Sequence, residues 1–308
     1  MILFEIKKAG SRKTIGLLLI IYLVSCMISY LQFKGVDNVS NTHLSASIYQ
    51  EVGGRITEKT SQKMEQEKKQ LDTILSQEYE MEDKYNKGKI DVDDYMNYRD
   101  LYHQYDNKKD AVNYVYERYL TAKEKGLYMV FDSFYNQLFK IKTIQWGLIL
   151  SIIMLSMLIV NCETKQLLTV LYCTPKGKIG IWSTKLKTVL FISVVFAALY
   201  NIAEYGIMTL FSSINQLGAP VQSISCLSSV KISVTIGQWI IVSLILRLIM
   251  AAFFGIIVFE ILQLIKNRNI GLVIMLMVVV LPIIVAKGFG IDRVDILNRM
   301  INVYPMFL

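Results

Sequence analysis

The chain has 308 residues, 53% apolar and 19% charged, with 33 basic and 25 acidic residues for a formal net charge of +8 and a mean hydropathy of +0.40. Soluble domains run at roughly 45–50% apolar and about 25% charged, so the composition points away from an ordinary soluble enzyme. Two histidines (His43, His103), four cysteines without metal-site spacing (Cys26, Cys162, Cys173, Cys226) and no G-x-x-x-x-G-K-[ST] loop argue against a zinc or iron–sulfur site, a P-loop ATPase and an intramembrane metalloprotease.

Five apolar runs follow along the chain: Ile15–Leu31, Ile144–Val160, Thr188–Phe211, Thr235–Ile265 and Ile270–Ala286. A membrane-crossing helix needs about 20 apolar residues, within a range of about 17–25. The expected fold is all-α and polytopic, with five transmembrane helices. The predicted segments are 1–31 (N-terminus and first helix), 32–143 (a polar insert), 144–160 (second helix), 161–187 (an inner loop), 188–286 (helices three to five) and 287–308 (an outer amphipathic segment).

Lys7, Lys8, Arg12 and Lys13 precede the first run as in a secretory signal, and Leu23-Val24-Ser25-Cys26 resembles a lipoprotein cleavage box. The run continues to Leu31 and four more follow, so an uncleaved anchor is expected. Orientation is read from Lys and Arg in the loops. Residues 1–14 carry a net +3, residues 161–187 a net +4 and residues 260–269 a net +1, which together equal the whole-chain charge. Residues 32–143 hold 17 basic and 19 acidic residues, net −2. The N-terminus is therefore expected in the cytoplasm and the insert outside, with Trp146 and Trp239 at outer helix ends. The positive charge is then a topology signal, and no nucleic-acid partner is needed to explain it.

The insert contains no proline, and its glycines punctuate two helices. The first is predicted over about 55–86, with Met64, Leu71, Ile74, Met81 and Tyr85 at helical spacing. Asn86-Lys87-Gly88-Lys89 reads as the turn. Asp91 is placed to cap a second helix over about 92–125. Tyr95, Tyr98, Tyr102, Tyr105, Val112, Tyr116 and Tyr119 form one stripe along it, interrupted by Lys109. An antiparallel hairpin results. Its tyrosines are either the seam between the helices or a surface for cargo, with Tyr95, Tyr98, Tyr102 and Tyr105 as the candidates for the second role.

In the loop after the second run, Leu167, Leu168, Leu171 and Tyr172 fit a short amphipathic helix, Pro175 ends it and Gly177 permits a turn. Lys176, Lys178, Lys185 and Lys187 favour the inner surface. Glu163, the helix, Thr174-Pro175-Lys176-Gly177-Lys178 and Lys185 come in an order that resembles the permease subunits of bacterial type-2 ABC exporters. The likeness is motif-specific over about 161–187 and topological elsewhere. It implies a coupling helix at 164–173 docked in a groove of a separate ATP-binding subunit, with Glu163, Leu167, Leu168, Leu171, Tyr172, Thr174, Pro175, Lys176, Gly177, Lys178 and Lys185 as the coupling residues. It also implies a second permease subunit, surrounding membrane lipids, location in the bacterial cell membrane, and ATP and Mg held by the partner with no cofactor in this chain. The plainer alternative is an amphipathic loop lying on lipid.

Two charges fall inside apolar runs. Glu204 and Arg247 are each ~24–27 Å from the inner ends of sequential antiparallel helices at 1.5 Å per residue. Pairing them is the least costly way to bury both, whether the pair lines a path or pins two helices together. Glu260 is expected to snorkel or to sit near Lys266 and Arg268, and Pro282 to kink the fifth run. Ile291, Val294, Leu297 and Ile301 form an outer amphipathic pattern. The family usually has a sixth span, and the chain stops at Leu308 before one. Together these features predict a transport subunit without catalysis of its own, moving a peptide, bacteriocin or antibiotic. The alternative is a non-transporting membrane sensor or scaffold with an extracellular helical domain.

Overall fold

A computed structural model describes residues 12–37, 40–140, 143–160, 177–211, 216–265, 270, 271, 273–275 and 277. Among these the protein is mostly helical. The helices are α1 (Arg12–Asp37), α2 (Ser40–Val52), α3 (Glu58–Ser76), α4 (Glu78–Asn86), α5 (Val92–Lys125), α6 (Ser133–Lys140), α7 (Thr143–Val160), α8 (Gly177–Phe211) and α9 (Ile236–Leu264). Stretches of α1, α8 and α9 (Thr14–Val36, Ile179–Phe211, Ile236–Leu264) are long and apolar enough to cross a membrane, and Trp146–Val160 is a shorter apolar helix. The chain is thus a helical membrane protein. Of the fifth apolar run, only residues 270, 271, 273–275 and 277 are described. Pro282 and residues 287–308 lie outside the described residues.

The chain divides into two compact units, residues 1–32, 138–212 and 239–308 forming one and residues 33–137 and 213–238 the other. The apolar unit is built on α7, α8 and α9. Leu148, Ile149, Ile152, Ile153 and Met157 of α7 bury against Ala197 and Tyr200 of α8 and Ala251, Phe254, Val258 and Leu262 of α9. A second cluster joins Leu18 of α1 to Leu155 and Ile159, Val189 and Ile192, and Phe259. α1 turns a narrow face inward, with Leu18, Ser25 and Ser29 buried while Leu19, Ile20, Leu23, Val24 and Met27 are exposed. Small residues let these helices approach. A Cβ on Gly147 would lie 2.0 Å from the Ser25 Oγ and 2.8 Å from the Tyr200 hydroxyl, and close approach at small residues is how helices gain contact where water supplies no drive.

α8 begins at Gly177, eleven residues before the apolar run that marked the third span. Apolarity reports where a helix is buried or lipid-clad, and it is silent on the polar turns that prolong it. Gly177 is therefore the first described residue of a helix, and Lys185, counted above with the inner loop 161–187, lies within that helix.

In the polar unit α5 lies beside both α3 and α2, which also touch each other, and α4 packs against α5. The expected single helix over 55–86 is two, separated at Gln77 (φ −87°, ψ −2°). Its first residues instead pair as a two-residue strand, Gly54–Arg55 with Tyr128–Met129, antiparallel. Thr57 caps α3, its hydroxyl accepting from the Thr60 amide at 3.2 Å. Asp91 accepts from the Val92 amide at 2.7 Å at the start of α5, and Gly126 closes that helix at φ +64°, a left-handed position that favours glycine. Met64, Leu71, Val115, Tyr119 and Ala122 are buried along the α3–α5 seam.

Residues 216–238 belong to the polar unit although α5 is about a hundred residues away. Asp132, almost fully buried, accepts from the Arg118 guanidinium at 3.2 Å and from the Ser225 amide at 2.7 Å. Arg118 also donates to the Ser223 carbonyl at 2.8 Å. The Asn136 side-chain oxygen accepts from the Ser225 hydroxyl (2.9 Å) and the Cys226 amide (3.0 Å). Thr235 and Gln238 then start α9 as a capping box. The Gln238 amide bonds the Thr235 hydroxyl at 3.3 Å, and the Thr235 amide bonds the Gln238 side chain at 3.0 Å.

Candidate functional site

Residues 182 and 193 of α8 meet 259 and 255 of α9. The Trp182 and Phe259 rings are 6.1 Å apart, and Gly255 abuts the Ser193 side chain. The two helices are therefore antiparallel, and the same register sets Glu204 opposite Arg247. The Arg247 Nη1 bonds the Glu204 Oε2 and donates to the Asn201 Oδ1 at 2.7 Å. Glu204 is fully buried and the Arg247 side chain is 11% exposed. Asn201, three residues before Glu204 on the same helical face, is also buried. Sequence reading by charge alone missed it, because an amide in an apolar run is not costly enough to stand out. Its signal is the i, i+3 spacing to Glu204.

The arrangement neutralises two charges in a setting where either alone would be expensive. It does not satisfy every atom. Glu204 Oε1 and Arg247 Nε are buried without a hydrogen-bond partner among the described residues. One acceptor and one donor thus remain for a further polar group. Elsewhere in the same unit the Ser151 and Tyr200 hydroxyls share a 3.1 Å bond and the Tyr22 ring stands edge-on to Tyr200 at 5.2 Å.

Of the coupling residues, Glu163, Leu167, Leu168, Leu171, Tyr172, Thr174, Pro175 and Lys176 lie outside the described residues. Gly177 is buried at the first position of α8, and Lys178 follows it in the helix. Lys185 is buried, and its ammonium donates to the Val160 carbonyl at 3.0 Å. That oxygen belongs to the last residue of α7, where helix carbonyls lack intrahelical donors and cations are favoured. Lys185 thereby ties the end of α7 to the start of α8. Glu260 is exposed on α9, while Lys266 and Arg268 lie outside the described residues. Trp239 is buried and Trp146 half-buried.

The tyrosine stripe faces α3 and α4. Tyr95 stacks on Tyr85 with centroids 4.4 Å apart. The Tyr98 hydroxyl donates to the Ile74 carbonyl at 2.7 Å, and the Tyr105 hydroxyl to the Gln70 side chain at 3.2 Å. Tyr102 packs beside Tyr98 at 6.3 Å. All four are half-buried. Burial and the neighbouring Glu78 raise the Tyr98 pKa. For Tyr102 the hydrogen bond to Glu78 leads the same upward shift.

No family model, curated protein or solved structure matches this chain.

Proposed function

We propose that the chain is the permease subunit of a type-2 ABC exporter in a bacterial cell membrane, pairing with a second permease subunit and driven by a separate subunit that binds ATP and Mg. In this reading the N-terminus and residues 161–187 face the cytoplasm and the insert lies outside. The cargo is a peptide, bacteriocin or antibiotic, exported or removed for self-protection. The observation that carries the reading is the Lys185–Val160 bond. An ATPase moves membrane helices only through an element firmly attached to them. The segment holding Glu163, the apolar Leu167, Leu168, Leu171 and Tyr172, and the Thr174-Pro175-Lys176 turn is bounded by two helices that Lys185 ties together.

The test is co-purification of the tagged chain with candidate ATP-binding subunits, followed by ATPase measurement in nanodiscs. The wild-type chain should retain a subunit and stimulate its ATPase, while Glu163→Ala and Leu168→Pro lose at least tenfold of that stimulation and still insert in the membrane. Unchanged association and stimulation in both variants would overturn the coupling role.

A second reading, a membrane sensor with the polar unit as its receptor, is favoured by the way two distant segments, 33–137 and 213–238, build one folded unit. It expects partner proteins without ATPase activity in the same co-purification.

A further inference from the structure

The polar unit contains a cavity of about 180 Å³ between α2, α3 and α5. A void of about 150 Å³ holds one benzene, and drug-sized ligands need roughly 300 Å³ or more. The cavity therefore fits one amino-acid-sized group.

Its walls have two characters. Leu44, Ile48, Val52 and Met64 supply an apolar floor, of which Val52 and Met64 are almost fully buried. Glu51, Lys63, Glu67 and Lys108 supply the charges. Glu51 and Lys63 neutralise each other at 2.6 Å. Among the described residues neither Glu67 nor Lys108 has an ion-pair partner, although the Glu67 charge reaches the Tyr105 phenol. Two walls thus present a carboxylate and an ammonium that do not meet, above a floor that favours a branched hydrocarbon.

We propose that this cavity binds a free apolar α-amino acid of the leucine type as its zwitterion. The ligand ammonium pairs with Glu67, its carboxylate with Lys108, and its side chain covers Leu44 and Ile48. A peptide terminus carries only one of the two charges and leaves either Glu67 or Lys108 unmatched. The inference is independent of the exporter reading, since such a site serves equally a transporter that responds to its surroundings or a sensor.

The experiment is calorimetric titration of the full chain in nanodiscs with three probes. These are L-leucine, isocaproate (no ammonium) and isoamylamine (no carboxylate). Leucine should bind at least tenfold more tightly than either truncated probe. Glu67→Gln should bring leucine down to the affinity of isocaproate, and Lys108→Gln down to that of isoamylamine, with the melting temperature of the polar unit unchanged. Leu44→Trp, which fills the floor from a half-buried position, should abolish binding of all three. No leucine binding at millimolar concentration, or equal affinity for all three probes, would overturn the proposal. So would unchanged leucine affinity in both charge variants.

Discussion

The Arg247 guanidinium on α9 bonds both the Glu204 carboxylate and the Asn201 amide oxygen on α8, in a helix bundle whose core clusters are apolar. Removing one partner of a buried pair leaves an uncompensated charge, which costs about 3–5 kcal/mol. Glu204→Leu and Arg247→Leu should each lower stability in detergent by about that amount. The double variant should be less destabilised than either single one. A transport assay on the double variant separates two roles: normal transport marks a pin between helices, and a folded but inactive protein marks a path.

Gly147 sits where α7 meets Ser25 and Tyr200, with no space for a methyl group. Gly147→Ala should destabilise the apolar unit by about 1–3 kcal/mol, the usual cost of overpacking. Adding Ser25→Gly removes both the hydroxyl and the Cβ that clash, and should recover part of the loss. Thermal melting in one detergent reads both variants.

Lys185→Met keeps the length of the side chain and loses the bond to Val160. A hydrogen bond from a charged donor contributes about 1.5–3 kcal/mol, and the variant should lose an amount in that range. Under the exporter reading it should also weaken ATPase stimulation beyond what the stability change explains, and measuring both on one preparation separates the effects.

Asp132 is the hub that fixes residues 223–226 to the α5 region. Asp132→Ala strands the Arg118 charge and frees the Ser225 amide, so we expect a loss of about 2–4 kcal/mol in the polar unit. Limited proteolysis should show faster cleavage within 216–235 in the variant than in the wild type.

Alkaline pH gives an independent reading of the same region. Burial, then the Asp132 charge, pushes Tyr114 up to about 12, and burial pushes Tyr135 up to about 12. Tyr49 moves in the same direction, chiefly through burial. A tyrosine in the unfolded chain ionises near 10. A folded pKa above that value means the unfolded state releases its proton first, so stability is intact below pH ~10 and falls between pH ~10 and ~12. Phenolate absorbance should rise in two stages, with the late stage assigned to these residues by Tyr→Phe replacement.

Several features were legible because their causes are local. Asp91 and Gly126 bracket α5 within a residue of its ends, and helical spacing marked Met64 and Leu71, which are buried. Opposite charges at matching depth in sequential apolar runs named Glu204 and Arg247. The break at Gln77 was not legible, since no glycine or proline marks it.

The sequence by itself determined that the chain is a helical membrane protein, because apolar length and charge placement are properties of each segment alone. Only the tertiary structure decided what lies across the gaps between segments. It brought Asn201 to the charged pair, Lys185 to the carbonyl of Val160, and residues 216–238 onto Arg118, Asp132 and Asn136. These are polar contacts between residues 25 to 105 positions apart. Each depends on the angle at which already formed helices meet, and no periodicity within a single helix carries that information.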